Sequence, residues 1–200
     1  MRGHEAARRR PNIPGASPMR YRRLNIPGAT VFLTMVLEDR RPLFQNAATV
    51  ALLNAAIEKV RARHPFECEA HAVLPDHLHV LWTLPEGDTD YPKRVRLFKE
   101  AFTRAYMYRH APPERSESRR AKGEQAIWQR RYWEHTVRDE RDIFAHLDYV
   151  HLNPVHHGLA QSPGAWPHSS FAAWVAREVY EPHWGSDTMP ELPAWAKGWE

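Results

Sequence analysis

A two-residue connection fixes the centre of this chain. Residues 66–74 alternate Phe66, Cys68, Ala70 and Ala72 with Glu67, Glu69 and His71, the period-two pattern of a half-buried strand. Only Pro75 and Asp76 separate that run from 77–84, a second strand reading His77-Leu78-His79-Val80-Leu81-Trp82-Thr83-Leu84. So short a link joins antiparallel neighbours, and the two strands form a hairpin. Alternation then sends His77 and His79 to one side, while Leu78, Val80 and Trp82 point to the other and anchor the strand in a core. Two imidazoles side by side on a rigid strand are half of a metal site. Taken alone they are open to three readings: metal ligands, catalytic bases, or surface histidines in a chain with 13 histidines. No other Cys, His or carboxylate stands at zinc-finger or HExxH spacing, so a self-contained zinc site is not expected.

The flanking sequence supplies the rest of a sheet and its helices. Residues 29–37 are β-branched and aromatic and predict a buried strand. Val50, Leu53, Ile57 and Val60 recur at helical steps in 46–63, and Val95, Phe98 and Phe102 do so in 91–108. A strand is predicted at 132–137, a helix over 139–152 closed by Pro154, and a short helix over 171–177. The order β-α-β-β-α-β-α predicts an α+β fold, a ferredoxin-like antiparallel sheet with helices packed on it. Residues 1–20, rich in Arg and Pro, read as a flexible basic arm; 21–177 as one domain; 111–125 as a mobile insert; and 178–200 as an irregular tail.

Bulk properties narrow the class. A chain of 200 residues with 42% hydrophobic content suits one ordinary domain with a real core. The mean hydropathy of −0.66 and short apolar runs predict no transmembrane helix. No apolar segment follows the charged start, so no secretory signal is expected, and the one cysteine, Cys68, fits a reducing cytoplasm. A net charge of +4 and a pI near 9.4 suit a polyanionic partner or an ordinary solvated surface, and charge alone leaves both open.

Tyr149 and Asn153 stand four apart in the last long helix and share a face. Separately, Asn153 reads as a cap before Pro154, and Tyr149 as a packing tyrosine. Together with the histidine pair they read differently. Two imidazoles and an amide oxygen would leave a divalent ion free to polarise a phosphodiester, and a phenol on the next turn would lie within reach of the same phosphorus. Tyr106, Tyr108 and Tyr132 share no face with a potential ligand.

These motifs carry a family resemblance. His77-Leu78-His79 resembles the HUH motif (U hydrophobic) of single-strand-specific nucleases. The wording Val73-Leu74-Pro75-Asp76-His77-Leu78-His79, Ile127-Trp128-Gln129, Trp133-Glu134-His135, Tyr149-Val150-His151-Leu152-Asn153-Pro154-Val155 and Trp166-Pro167-His168-Ser169-Ser170 resembles the REP-associated tyrosine transposases, over residues 21 to 184. The resemblance implies an HUH-endonuclease fold and cleavage of single-stranded DNA at repetitive extragenic palindrome (REP) hairpins. It further implies a 5′-phosphotyrosine intermediate on Tyr149, with Mg²⁺ or Mn²⁺ at His77 and His79. Asn153 stands where related transposases often carry Gln and is the candidate third ligand. Arg22, Arg23, Arg94, Lys99, Arg104, Arg130, Arg131 and Arg138 are candidate DNA contacts. His135 and His146 are candidate supporting groups, whereas His151 is expected to be exposed. The expected setting is the bacterial cytoplasm, on nucleoid DNA, as monomer or homodimer and without a membrane partner. Two other readings compete: a non-catalytic single-strand-binding module, and a replication-initiator-type nuclease. The absence of a GxxxxGK[ST] loop weighs against the latter.

Overall fold

The structure, a computed structural model, describes residues 26–186; the basic arm, with Arg22 and Arg23, and residues 187–200 lie outside the described residues. Strands β1 (Thr30–Val36), β2 (Glu67–Val73), β3 (His77–Thr83) and β4 (Trp133–Thr136) form one four-stranded sheet in the order β2-β3-β1-β4. All three pairings are antiparallel. Helix α1 (Ala47–Arg61) links β1 to β2, and α2 (Tyr91–Arg109) links β3 to β4. Each link joins parallel strands with an antiparallel strand between them, which is the split βαβ arrangement predicted for a ferredoxin-like α+β fold.

The two faces of the sheet serve different purposes. Val31, Leu33 and Met35 of β1 and Leu78, Val80 and Trp82 of β3 pack under α1 and α2 with Leu53, Val60, Phe98 and Phe102, forming the larger core. The opposite face carries Phe32, Ala70, Ala72 and Leu81, which meet Leu147, Tyr149 and Val150 of helix α4 (Glu140–His156). Ala70 and Ala72 are fully buried, and their small side chains permit that close approach.

Three local departures from the sequence reading have physical causes. The alternation expected through 66–74 is broken by a bulge between Cys68 and Ala70, which moves Ala70 and Ala72 onto the α4 side while Phe66 and Cys68 stay with the larger core. Helix α4 does not stop before Pro154. It runs to His156, because Pro154 lies in the final turn and forfeits only one hydrogen bond. Beyond it, Gly158 at φ 65° donates to the Val155 carbonyl at 2.9 Å, and Leu159 donates to Pro154 at 2.9 Å, so a Schellman turn ends the helix. Within 111–125, α3 (Glu117–Ala121) is capped by Ser116 and tied down by buried Arg119, which pairs with Glu38 and Glu124.

After helix α5 (Phe171–Ala176), the stretch read as the start of an irregular tail packs onto α4. Tyr180 donates a 2.7 Å hydrogen bond to Asp148, and its ring lies 4.4 Å from that of Trp184. No described helix is long and apolar enough to cross a membrane.

Candidate active site

Register places the histidine pair. Val36 is opposite His77 and Thr34 opposite His79, so β1 backs the whole motif. The His77 and His79 rings lie 4.9 Å apart, centre to centre, and Leu78 is fully buried in the opposite core, as the alternation requires. Each imidazole has one nitrogen committed. His77 Nδ1 donates to Asp76 Oδ1 at 2.6 Å, and His79 Nδ1 lies 2.8 Å from Thr34 Oγ1. Burial acts to raise the Asp76 carboxyl, but the hydrogen bonds and charges of His77 and Arg40 outweigh it and hold Asp76 at about 2. A carboxylate gripping one ring nitrogen orients the other toward a cation, the usual support for a histidine ligand.

Helix α4 brings the remaining groups. Asp142, His146, Tyr149 and Asn153 form one buried stripe of the helix. The Tyr149 ring lies 5.1 Å from His79 and 5.7 Å from Phe32, which itself stacks on His79 at 5.6 Å. Asn153 is fully buried within the helix and is not its cap. No hydrogen bond of good geometry reaches either amide atom of Asn153 or His79 Nε2 among the described residues, although the Asn153 amide lies close enough to His79 to raise its pKa. A buried polar atom without a well-formed hydrogen bond costs about 1–3 kcal/mol, so these groups, side by side, suit a bound cation. Burial, then the neighbouring His77 and His157, pulls the His79 pKa well below its usual value; nearby Asn153 opposes this only in part. His79 is therefore neutral at physiological pH, the form that binds metals. The donor set of two imidazoles and an amide oxygen fits a divalent ion that also keeps positions for substrate. His157, absent from the sequence reading, packs 5.3 Å from His77 at the end of α4. Only a helix continuing past Pro154 carries it there.

A second set of donors lies one turn earlier. Ligand-type atoms of His135, Asp142 and His146 fall within 4.8 Å of one another. Asp142 Oδ2, however, already accepts from His135 Nε2 at 2.8 Å and from the backbone and side chain of Arg138 at 3.0 and 3.2 Å. The two imidazoles are stacked nearly parallel, 4.7 Å apart at 12°, and so do not converge on one point. The cluster is better described as a clamp joining β4 to α4. His146 also touches Phe32 at 4.9 Å, which places the clamp directly behind the tyrosine.

A family model described as "Transposase IS200 like" matches residues 27–153. The REP-associated tyrosine transposase of Escherichia coli strain K12 is 40% identical over 167 residues, spanning 84% of this chain and 91% of that protein. A Haemophilus influenzae protein provisionally given the same name is 38% identical over 175 residues, with 86% and 95% covered. A REP-associated tyrosine transposase solved bound to a REP hairpin superposes with a TM-score of 0.69 at 38% identity, covering 86% of this chain and 94% of that one. This chain belongs to the IS200-like transposases, among the REP-associated tyrosine transposases.

The arginines and lysine expected to contact DNA divide sharply in this transposase. Arg94 is corrected to a structural residue. It is 3% exposed and donates to the His64, Pro65 and Asp90 carbonyls and to Asp88 at 2.6 Å, which binds the start of α2 to the end of α1. Lys99 is half-buried, whereas Arg104, Arg130, Arg131 and Arg138 are exposed. Arg138 is on the side of the sheet that carries α4, bonded to Asp142, while Lys99, Arg104 and Arg130 line the α2 side. His151, expected to be exposed, is fully buried, with Nε2 2.9 Å from Ser170 Oγ.

Proposed function

We propose that this transposase cleaves and rejoins single-stranded DNA beside REP hairpins, with Tyr149 as nucleophile. The observation that carries the proposal is the Tyr149 ring packed 5.1 Å from His79, on the helix face that also delivers Asn153. The Tyr149 oxygen attacks the phosphorus of a phosphodiester. A phosphotyrosine bond to the 5′ side forms, the bond to the 3′ oxygen breaks, and that oxygen leaves as a 3′-hydroxyl after taking up a proton. Attack by a second 3′-hydroxyl reverses the step and restores the phenol, so the bond energy is kept for joining. A phenol with a pKa of about 10 is a poor nucleophile unless the phosphate is activated. His77, His79 and Asn153 would hold the Mg²⁺ or Mn²⁺ that supplies this activation as a Lewis acid. Asp76 and Thr34 orient the two imidazoles, and Phe32 fixes the spacing between His79 and Tyr149. Arg22, Arg23, Lys99, Arg104, Arg130, Arg131 and Arg138 are assigned to phosphate contacts. The relative solved with a REP hairpin supports that class of substrate here, and such a substrate implies work at nucleoid DNA in the bacterial cytoplasm.

The test is a labelled REP hairpin with a single-stranded flank, incubated with Mn²⁺ and run on a denaturing gel. The wild-type chain should give a protein–DNA adduct, and Tyr149→Phe none, with hairpin affinity within about twofold of wild type. Chelation should stop adduct formation and spare most binding. A full-yield adduct from Tyr149→Phe would remove Tyr149 from its role, and no adduct from any variant would leave a binding module only.

A further inference from the structure

Asp39 and Arg40, just after β1, have φ angles of 56° and 48°, the only consecutive non-glycine pair with left-handed backbone among the described residues. Arg41 donates to the Glu38 carbonyl at 3.3 Å across them, so residues 38–41 have the form of a type I′ turn. The second central position of such a turn favours glycine, and here it holds an arginine. A left-handed arginine is costly, and a half-exposed ion pair returns little in water, so fold stability does not account for this residue. The strain persists because the turn is pinned from both sides. Leu37 donates to the Asp76 carbonyl at 2.8 Å and Phe44 to that of Pro75 at 2.9 Å, while Glu38 donates to Ile127 at 2.9 Å and pairs with Arg119.

Held in this way, Arg40 reaches the connection that precedes the histidine motif. Its Nη1 donates to Asp76 Oδ2 at 3.1 Å, and the other carboxylate oxygen, Oδ1, accepts from His77 Nδ1 at 2.6 Å. The rings of His79 and His157, 4.9 and 5.3 Å away, confine the His77 imidazole but do not choose which nitrogen carries its proton. The carboxylate makes that choice, and rotation about its Cβ–Cγ bond would exchange the two oxygens unless one were held. We propose that Arg40 is a positioning residue for the strand-cleaving site: by holding Asp76 Oδ2 it keeps Oδ1 on the His77 Nδ1–H, so that Nε2 is the unprotonated nitrogen turned to the cation. The proposal rests on the reading of His77 as a metal ligand above. In this role Arg40 touches neither DNA nor ion and acts only through Asp76.

Long-range proton–nitrogen NMR of His77 reads the proton directly, in the full chain without metal or DNA and above the usual histidine pKa of about 6.5. Wild type should show one neutral tautomer, protonated at Nδ1, and Arg40→Met a mixture of both. Mn²⁺ affinity, titrated calorimetrically without DNA, should fall about 10-fold in Arg40→Met, with REP-hairpin affinity in the absence of divalent ion kept within about twofold. Arg40→Lys, which retains a donor for Asp76, should recover most of the metal affinity. Arg40→Gly suits the turn, so it should keep or raise the thermal midpoint while losing metal affinity as Arg40→Met does. A purely structural arginine would do the reverse. In an Asp76→Asn background, Arg40→Met should add no further loss of Mn²⁺ affinity. An unchanged tautomer in Arg40→Met, or losses that add to those of Asp76→Asn, would overturn the proposal. Failure of the ligand reading shows differently, as a wild-type chain that binds no Mn²⁺, and the His77 tautomer still decides for or against Arg40.

Discussion

Buried imidazoles set the chemistry at the scale of single residues. His77 and His79 are oriented by Asp76 and Thr34, and in the proposed mechanism metal affinity depends on that support as much as on the two imidazoles. Asp76→Asn and Thr34→Val should each weaken Mn²⁺ binding about 10–100-fold, read by calorimetric titration in the absence of DNA. His151 contributes in another way. Burial first, and then the nearby charge of His71, holds His151 at about 3. Below the usual histidine value of about 6.5 the unfolded chain takes a proton that the folded chain refuses, so stability falls as pH drops from there toward 3. His151→Gln, able to keep a hydrogen bond to Ser170, should lose less stability than wild type between pH 7 and 4. The gap is about 3 kcal/mol at most, measured by urea unfolding at each pH. An identical pH dependence in both proteins would remove His151 from the acid response.

Two elements deliver the site, and each depends on a small backbone feature. The bulge in β2 turns Ala70 and Ala72 toward α4, where their size lets the helix seat close to the sheet. Ala72→Leu should cost about 1–3 kcal/mol through overpacking. It should also slow adduct formation by more than that stability loss explains, because Tyr149 is displaced from His79. A variant destabilised but fully active would show that helix placement is not critical. The end of α4 relies on Gly158, which has open space around its Cα but a φ of 65°. Gly158→Ala should therefore destabilise by about 1 kcal/mol from backbone strain alone, seen as a lowered thermal midpoint.

As a whole, the molecule assigns its sheet faces to separate tasks. The α1–α2 face is a packed core, and the α4 face holds Tyr149, the proposed nucleophile, only 1% exposed. Side chains over Tyr149 must part before a phosphate can reach it, so adduct formation should show a step that binding lacks. Binding itself should depend steeply on salt. Five phosphate contacts by Lys99, Arg104, Arg130, Arg131 and Arg138 would lower single-strand affinity about 100-fold between 50 and 200 mM salt. A salt-insensitive affinity would exclude these side chains as the main contacts.

The sequence alone determined what periodicity and local chemistry encode. The two-residue link at Pro75-Asp76 defined the hairpin, alternation placed both histidines on one face, and helical spacing put Tyr149 beside Asn153. Motif wording pointed to the family. What it left undetermined depended on contacts distant in the chain. Arg94 reads as a surface charge until His64 and Pro65, some thirty residues earlier, offer it their carbonyls. His151 reads as exposed until Ser170 and Tyr180 fold over it. Pro154 reads as a stop, yet its place in the final turn, followed by the Gly158 turn, lets α4 carry His157 to His77. Local patterns are short-range and survive in one dimension. Burial of a charge, a bulge between two strands and the meeting of β3 with α4 are settled only when distant segments compete for the same space.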